Sequence, residues 1–161
     1  GGGSVMQVYD TLVWYNKDNA SEFVPQLATE VPSLENGGIS PDGLKVTFKI
    51  REGVKFHDGT DLTVDDVAYT FQRNLLQGGT ASPQWLFTEP LLGVGIYDIA
   101  EVVDETGALD DDAAGLQAAD PAALKAACEK VTSAIVADPA TNTVTFTLAQ
   151  PWAPFIPTFT R

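Results

Sequence analysis

The segment LKVTFKI at residues 44–50 constrains the fold most, because its apolar and polar residues alternate without exception. Its four apolar side chains fall on one face, and its two lysines and one threonine fall on the other. A period of two is typical of a strand with one buried face in an antiparallel sheet. The turn sequence SPDG at residues 40–43 precedes this segment. We therefore expect a half-buried strand here.

An amphipathic helix is predicted next, over residues 64–77. Thr63 and Asp66 lie three residues apart, a spacing that favours a capped helix N-terminus. Two glycines at residues 78–79 mark its end. The apolar residues recur at spacings of three and four, at Val64, Val67, Ala68, Phe71 and Leu75. This apolar stripe predicts a helix that covers a sheet.

The last third of the chain predicts a helix followed by a hairpin. Asp120 and Pro121 are typical of a helix start. SAIVA at residues 133–137 fits either the continued helix or a strand, and we prefer the strand because turn residues DPATN follow it. TVTFTL at residues 143–148 alternates again. The fold class expected is α+β, a mostly antiparallel sheet with packed helices.

The beginning of the chain predicts a linker and then the domain itself. GGGS at residues 1–4 is typical of a flexible linker or an engineered scar. Residues 5–161 are expected to form a single α+β domain. Ser4 is a candidate cap for a short helix that leads into LVWY, a β-prone segment at residues 12–15. The sequence NKDNAS at residues 16–21 indicates a turn.

The charge is strongly acidic, with a formal net charge of −13. Residues 98–120 contain eight acids and no lysine or arginine, which indicates an acidic surface insert, either an exposed loop or a loose helix. Such a surface repels phosphate backbones and argues against nucleic-acid partners. No run of apolar residues has the roughly 20 positions that a membrane span needs. Cys128, beside the apolar Leu124 and Val131, is expected to be a buried, inert thiol.

His57, the single histidine, lies in FHDGT among several aspartates. An imidazole among carboxylates can act as a metal ligand or a proton shuttle. Asp58-Gly59 is also an ordinary turn dipeptide, and the acids that follow suit a helix N-terminus. We favour the turn, because a metal site needs further converging ligands. Asp110–Asp112 lack the alternating acids of a calcium loop, so no metal and no cofactor is expected.

The three tryptophans, Trp14, Trp85 and Trp152, can each pack in a core or stack on a ligand. Trp85 is the best candidate of the three for a ligand contact. It lies in a segment punctuated by serine and proline between two predicted elements, where binding residues tend to be placed.

One long block resembles a known family. SPDGLKVTFKIREGVKFHDGTDLTVDDVAYTFQR, at residues 40–73, closely resembles the family 5 extracellular solute-binding proteins, which are the dipeptide, oligopeptide and nickel binders of ABC importers. Flanking pieces agree in order, among them VYDTLVWYN at residues 8–16 and NTVTFTLAQPWAPF at residues 142–155. The acidic residues 98–120 depart from the family pattern.

The resemblance implies part of the first lobe of a two-lobed periplasmic-binding-protein type II fold, with the second lobe outside this sequence. It implies capture of a solute, most simply a peptide, outside the cytoplasmic membrane, followed by delivery to ABC permease subunits. No signal-peptide pattern is present. By resemblance, the segment that follows TASP at residues 80–83 runs near the cleft, which makes Gln84 and Trp85 candidate ligand contacts. Trp14 is a weaker candidate. No charged ligand residue is carried over, and nickel chelates, sugars and haem stay open as ligands.

Two other functions are weighed against this one. An enzyme that uses carboxylates near His57 would lose activity in His57→Ala, but no nucleophile–base pair or cofactor motif supports it. A stand-alone acidic interaction module would use residues 98–120 as its contact surface and would bind a basic partner in a salt-sensitive way.

Overall fold

A computed structural model describes residues 9–77, 85–95, 99–110 and 112–160 of the chain. The described residues form five strands and six helices. In chain order these are β1 Val13–Tyr15, β2 Phe23–Pro25, β3 Lys45–Lys49, α1 Val64–Gln77, α2 Trp85–Leu92, α3 Ala100–Val103, α4 Ala113–Ala118, α5 Pro121–Ala134, β4 Ile135–Asp138, β5 Thr143–Thr147 and α6 Phe155–Thr158. Within this part of the chain, no helix is long and apolar enough to cross a membrane.

The main sheet has the strand order β3-β5-β4, and both pairings are antiparallel. Val46 lies opposite Phe146, and both are buried on the inner face. On the outer face, Thr47 and Thr145 share a hydrogen bond of 3.0 Å between their hydroxyls. The predicted alternating strands and the hairpin that joins β4 to β5 are therefore confirmed, as is the α+β fold class.

Helix α1 has the predicted bounds and the predicted cap. The Asp66 carboxylate accepts hydrogen bonds from the Thr63 N–H at 2.8 Å and from its hydroxyl at 2.6 Å. In return, the Asp66 N–H donates a hydrogen bond to the Thr63 hydroxyl at 3.2 Å. The apolar stripe of α1 packs on β4, β5 and α5. Gln72 also donates to the Ile135 carbonyl at 2.8 Å, which ties the helix to the edge strand β4.

Six phenylalanine rings form the centre of the core, at Phe48, Phe71, Phe87, Phe146, Phe155 and Phe159. They come from two strands, two longer helices and the C-terminal segment around α6. Phe146 and Phe159 have ring centroids 4.9 Å apart in an edge-to-face arrangement. Aromatic pairs in this geometry contribute about 0.5–1.5 kcal/mol beyond the area that they bury. The rings therefore join segments that lie far apart in sequence.

The choice of a strand at residues 133–137 is right only from Ile135 onward. Ser133 and Ala134 belong to α5, which begins with Asp120 accepting a hydrogen bond from the Ala122 N–H at 3.2 Å. Ala134 is buried on the same face of the helix as Val131. Packing therefore extends the helix up to the first residue of β4.

The expectation that Cys128 is buried is wrong, because its side chain is exposed. Helix α5 buries Ala127, Val131 and Ala134, which are spaced by four and three residues. Cys128 follows Ala127 and is turned about 100° around the helix axis from it, toward solvent. The apolar neighbours that suggested burial therefore lie on another face.

The segment predicted as an acidic loop or loose helix contains the short helices α3 and α4. The Asp112 side chain caps α4 by accepting a hydrogen bond from the Gly115 N–H at 2.9 Å. Ile99 and Ala100 are buried, so the start of this segment contributes to the core. The predicted linker at residues 1–4 and the start of the predicted early helix, up to Val8, lie outside the described residues. The rest of that helix prediction is wrong, because residues 9–12 are not helical and lead directly into β1.

Candidate functional site

The hairpin β1–β2 carries Trp14, Tyr15 and Phe23, which we call the aromatic hairpin. Tyr15 lies opposite Phe23 in the register, with ring centroids 5.2 Å apart. The Trp14 ring stands edge-on to Tyr15 at 6.1 Å. All three side chains are half-buried. Half-exposed rings on a paired strand can stack on a ligand or pack against another segment.

Hydrogen bonds hold the aromatic hairpin at both ends. In its turn, the Glu22 carboxylate accepts from the amides of Asn16 at 3.0 Å and Asn19 at 2.8 Å. At the other end, the Arg51 N–H donates to the Leu27 carbonyl at 2.9 Å, just beyond β3. Trp14 is thus fixed relative to the main sheet. Trp14 was a candidate from the sequence, whereas the Tyr15–Phe23 pair beside it was not, because that pair depends on the strand register.

Gln84 lies outside the described residues, and the side chain of Trp85 is not described. The backbone of Trp85 begins helix α2. The proposed roles of Gln84 and Trp85 in ligand contact therefore stay predictions.

His57 is exposed in a loop held closed by its neighbours. The Phe56 N–H donates to the Thr60 carbonyl at 2.9 Å, and Lys55 pairs with Asp61 at 2.5 Å. The Asp58 carboxylate accepts from the hydroxyl of Thr60 at 2.7 Å and from its N–H at 3.0 Å. Asp58 and Asp61 are therefore engaged in building the loop, as the turn interpretation requires.

Hydrogen bonds lower the pKa of two carboxyls, those of Asp58 and Asp66. The Thr60 hydroxyl, and then its N–H, lowers the pKa of Asp58 by stabilising the charged form. The Thr63 hydroxyl and N–H do the same to the pKa of Asp66. Both carboxyls are thereby kept ionised, as acceptors rather than proton donors. Among the described residues, no group of three or more His, Cys, Asp or Glu side chains is placed to hold a metal ion.

Two concave surfaces stand out on the described part of the molecule. A groove of about 360 Å³ between α1 and α5 is lined by Tyr69, Arg73 and Leu76, among others. A smaller depression of about 210 Å³ lies on the outer face of the sheet, with Glu30 and Lys49 in its lining. Trp14 lines neither of them.

Several solved structures share this arrangement of sheet and helices. The pheromone receptor PrgZ superposes with a TM-score of 0.61 at 19% identity, covering 99% of this chain and 25% of that one. OppA of Listeria monocytogenes, solved with a bound peptide, superposes with a TM-score of 0.59 at 21% identity, covering 98% of this chain and 24% of that one. At such identities the likeness shows the fold alone, which is that of type II periplasmic binding proteins.

The family is shown by the sequence match. The model of the family described as "Bacterial extracellular solute-binding proteins, family 5 Middle" matches residues 22–161. This range includes β2 and every later element described above. The chain therefore belongs to the family 5 bacterial extracellular solute-binding proteins.

Curated relatives match over shorter stretches. Heme-binding protein A of Haemophilus influenzae is 41% identical over 78 residues, which are 45% of this chain and 13% of that protein. Di/tripeptide-binding protein 2 of Pseudomonas aeruginosa is 43% identical over 60 residues, which are 33% of this chain and 11% of that protein. The matched part is thus a small fraction of each relative.

Proposed function

We propose that this chain is part of an extracytoplasmic solute-binding protein that captures a small solute and delivers it to an ABC-type membrane permease. The observation that carries the proposal is the family match over residues 22–161. The fold, shared with the peptide-bound OppA, supports it. On this proposal the protein is a binding component and catalyses no reaction.

The solute proposed is a peptide. Di/tripeptide-binding protein 2 is among the relatives, and it matches at 43% identity. Haem is the competing ligand, because a relative at 41% identity is named for haem binding. Titration of the full-length protein with both ligands separates these two possibilities.

Capture is proposed to take place in a cleft between this lobe and a second lobe of the same protein. Closure of two lobes around a ligand is a population shift, driven by contacts that only the closed state makes. We propose Trp85 and Gln84 as contacts from this lobe, with Trp14 as a weaker one. The half-buried ring of Trp14 on a fixed hairpin supports its part.

Cell fractionation tests the location that this function requires. An antibody raised against the chain is used on cytoplasmic, envelope and extracytoplasmic fractions of the source cells. We expect the signal in the envelope or extracytoplasmic fraction, with a cytoplasmic enzyme as the fractionation marker. Recovery in the cytoplasm alone would contradict the proposed role.

A further inference from the structure

The depression on the outer face of the main sheet has a lining suited to a small charged molecule. Glu30 and Asn36 stand on one side of it, and Thr47, Lys49 and Thr143 stand on the strands β3 and β5. Its volume of about 210 Å³ is below the roughly 300–1,000 Å³ of pockets that hold drug-sized ligands. This volume suits a molecule the size of a free amino acid.

The loop that forms one wall is held in place by Asn36. The Asn36 amide oxygen accepts from the N–H groups of Ser33 at 2.9 Å and Gly38 at 3.0 Å. Its amide nitrogen donates to the Val31 carbonyl at 2.9 Å and to the Glu30 carboxylate at 3.1 Å. A side chain at Gly38 would meet Pro32 at 2.8 Å, so the loop needs glycine there. The wall is preorganised, and one oxygen of Glu30 is oriented by it.

Glu30 and Lys49 come from adjacent segments yet do not pair. The Thr29 N–H donates to the Lys49 carbonyl at 2.8 Å, so the two backbones run side by side. Two ion pairs of the described residues join Lys55 to Asp61 and Lys125 to Glu129, and neither contains Glu30 or Lys49. An exposed carboxylate and an exposed ammonium thus line one depression without forming an ion pair with each other.

The hydroxyls of the depression add neutral hydrogen-bonding groups. Thr47 and Thr143 each share one hydrogen bond with a neighbouring threonine, Thr145 at 3.0 Å and Thr141 at 2.8 Å. Thr141 donates its hydroxyl proton to the Asp138 carboxylate at 2.8 Å, so Thr143 is the donor to Thr141 and keeps only acceptor capacity. The Thr47 hydroxyl can still donate to a ligand when Thr145 donates to it.

We propose that the Glu30–Lys49 depression binds a small zwitterion, a free amino acid. The ligand carboxylate lies against Lys49 and the Thr47 hydroxyl, and its ammonium lies against Glu30. Charge-assisted hydrogen bonds at both ends select for a zwitterion. An anion is disfavoured by the net charge of −13, whereas a zwitterion carries no net charge to repel. The inference does not rest on the proposed transport function.

The experiment is a titration of the full-length protein, labelled with ¹⁵N-glycine, with L-alanine. The amide signals of Gly37 and Gly38 report on the depression. Binding with a dissociation constant on the order of 1 mM is expected, because the site is open to solvent and has two charged contacts. Glu30→Gln, which keeps the acceptor for Asn36, and Lys49→Met should each weaken binding about fivefold or more. The matched control Lys45→Met, on the same face of β3, should leave it unchanged.

Propionate and ethylamine, each with one of the two charges, complete the test and should bind more weakly than L-alanine. The proposal is overturned if L-alanine causes no saturable shifts, if Lys49→Met binds like the unaltered protein, or if propionate binds equally well. Neither Glu30 nor Lys49 is a proposed cleft contact, so such a failure leaves peptide capture untouched.

Discussion

Thr63 and Asp66 show how single side chains determine where a helix begins. Removing the Thr63 hydroxyl leaves the Asp66 N–H without its partner, so Thr63→Ala should cost about 1 kcal/mol of helix stability. Hydrogen exchange of peptides that cover α1 should become about fivefold faster, since 1.4 kcal/mol corresponds to tenfold.

Thr70→Ala is the matched control for this change. The Thr70 hydroxyl donates to the Asp66 carbonyl at 2.8 Å within the helix, a bond that supports helices little. Exchange in Thr70→Ala should stay near that of the unaltered protein. Equal exchange rates in the two variants would show that the cap does not stabilise α1.

The carboxyl of Asp66 also predicts a response to acid. Its pKa is lower in the folded chain than its ordinary value of 3.8. The ionised Asp66 carboxylate therefore stabilises the folded chain fully above about pH 4. This stabilisation is lost as the pH falls through the lower pKa that Asp66 has in the folded chain. The midpoint of thermal unfolding should fall less steeply below pH 4 in Asp66→Asn than in the unaltered protein.

Asp65→Asn is the control for the acid response, because no hydrogen bond to the Asp65 side chain is present in the described part of the chain. It should keep the acid dependence of the unaltered protein. If Asp66→Asn shows that same dependence, the hydrogen bonds from Thr63 do not contribute to acid stability.

Among the elements, strand β5 depends on the phenylalanine core. Phe146 is fully buried, and its ring contacts those of Phe48, Phe71, Phe155 and Phe159. Phe146→Ala should destabilise the fold by about 3–5 kcal/mol, the range for removing a buried aromatic ring. Urea unfolding followed by circular dichroism measures the change.

Val136→Ala provides the comparison for Phe146→Ala, since Val136 lies on the neighbouring strand β4 and is 50% exposed. Val136→Ala should change the free energy of unfolding by no more than about 0.5 kcal/mol, as most surface substitutions do. Similar losses in the two variants would mean that the ring cluster does not hold the sheet together.

The elements that sequence analysis predicted well are those set by local signals. Alternation over residues 44–50 and the Thr63–Asp66 spacing act within a few residues, so β3 and α1 were predicted with nearly the observed bounds. Exposure of Cys128 depends instead on which face of α5 meets the core. The ring contacts of Phe155 and Phe159 likewise join distant segments. No local pattern contains that information.

At the scale of the molecule, the candidate site was predicted only in part. The half-buried position of Trp14 agrees with a residue that has one accessible face. The Glu30–Lys49 depression was not foreseen, because it forms where the loop from Glu30 to Gly38 meets strands β3 and β5, and Thr143 of β5 is far from that loop in sequence. Only tertiary pairing brings those residues together.

At the scale of the full-length protein, we expect Trp85 to contribute to peptide affinity. Trp85→Ala should weaken peptide binding by the full-length protein about fivefold or more, which is the effect of an aromatic contact worth at least 1 kcal/mol. Trp152→Phe is the control, because Trp152 packs against the core. Calorimetric titration compares the two, and equal affinities would remove Trp85 from the proposed site.

The capture of a peptide solute is tested most directly by calorimetric titration of the full-length protein with a panel of di- and tripeptides, with haem as the competing ligand. We expect saturable one-to-one binding of at least one peptide, with a dissociation constant in the micromolar range or lower. Heat changes that never saturate for any peptide, or saturable binding of haem alone, would contradict it.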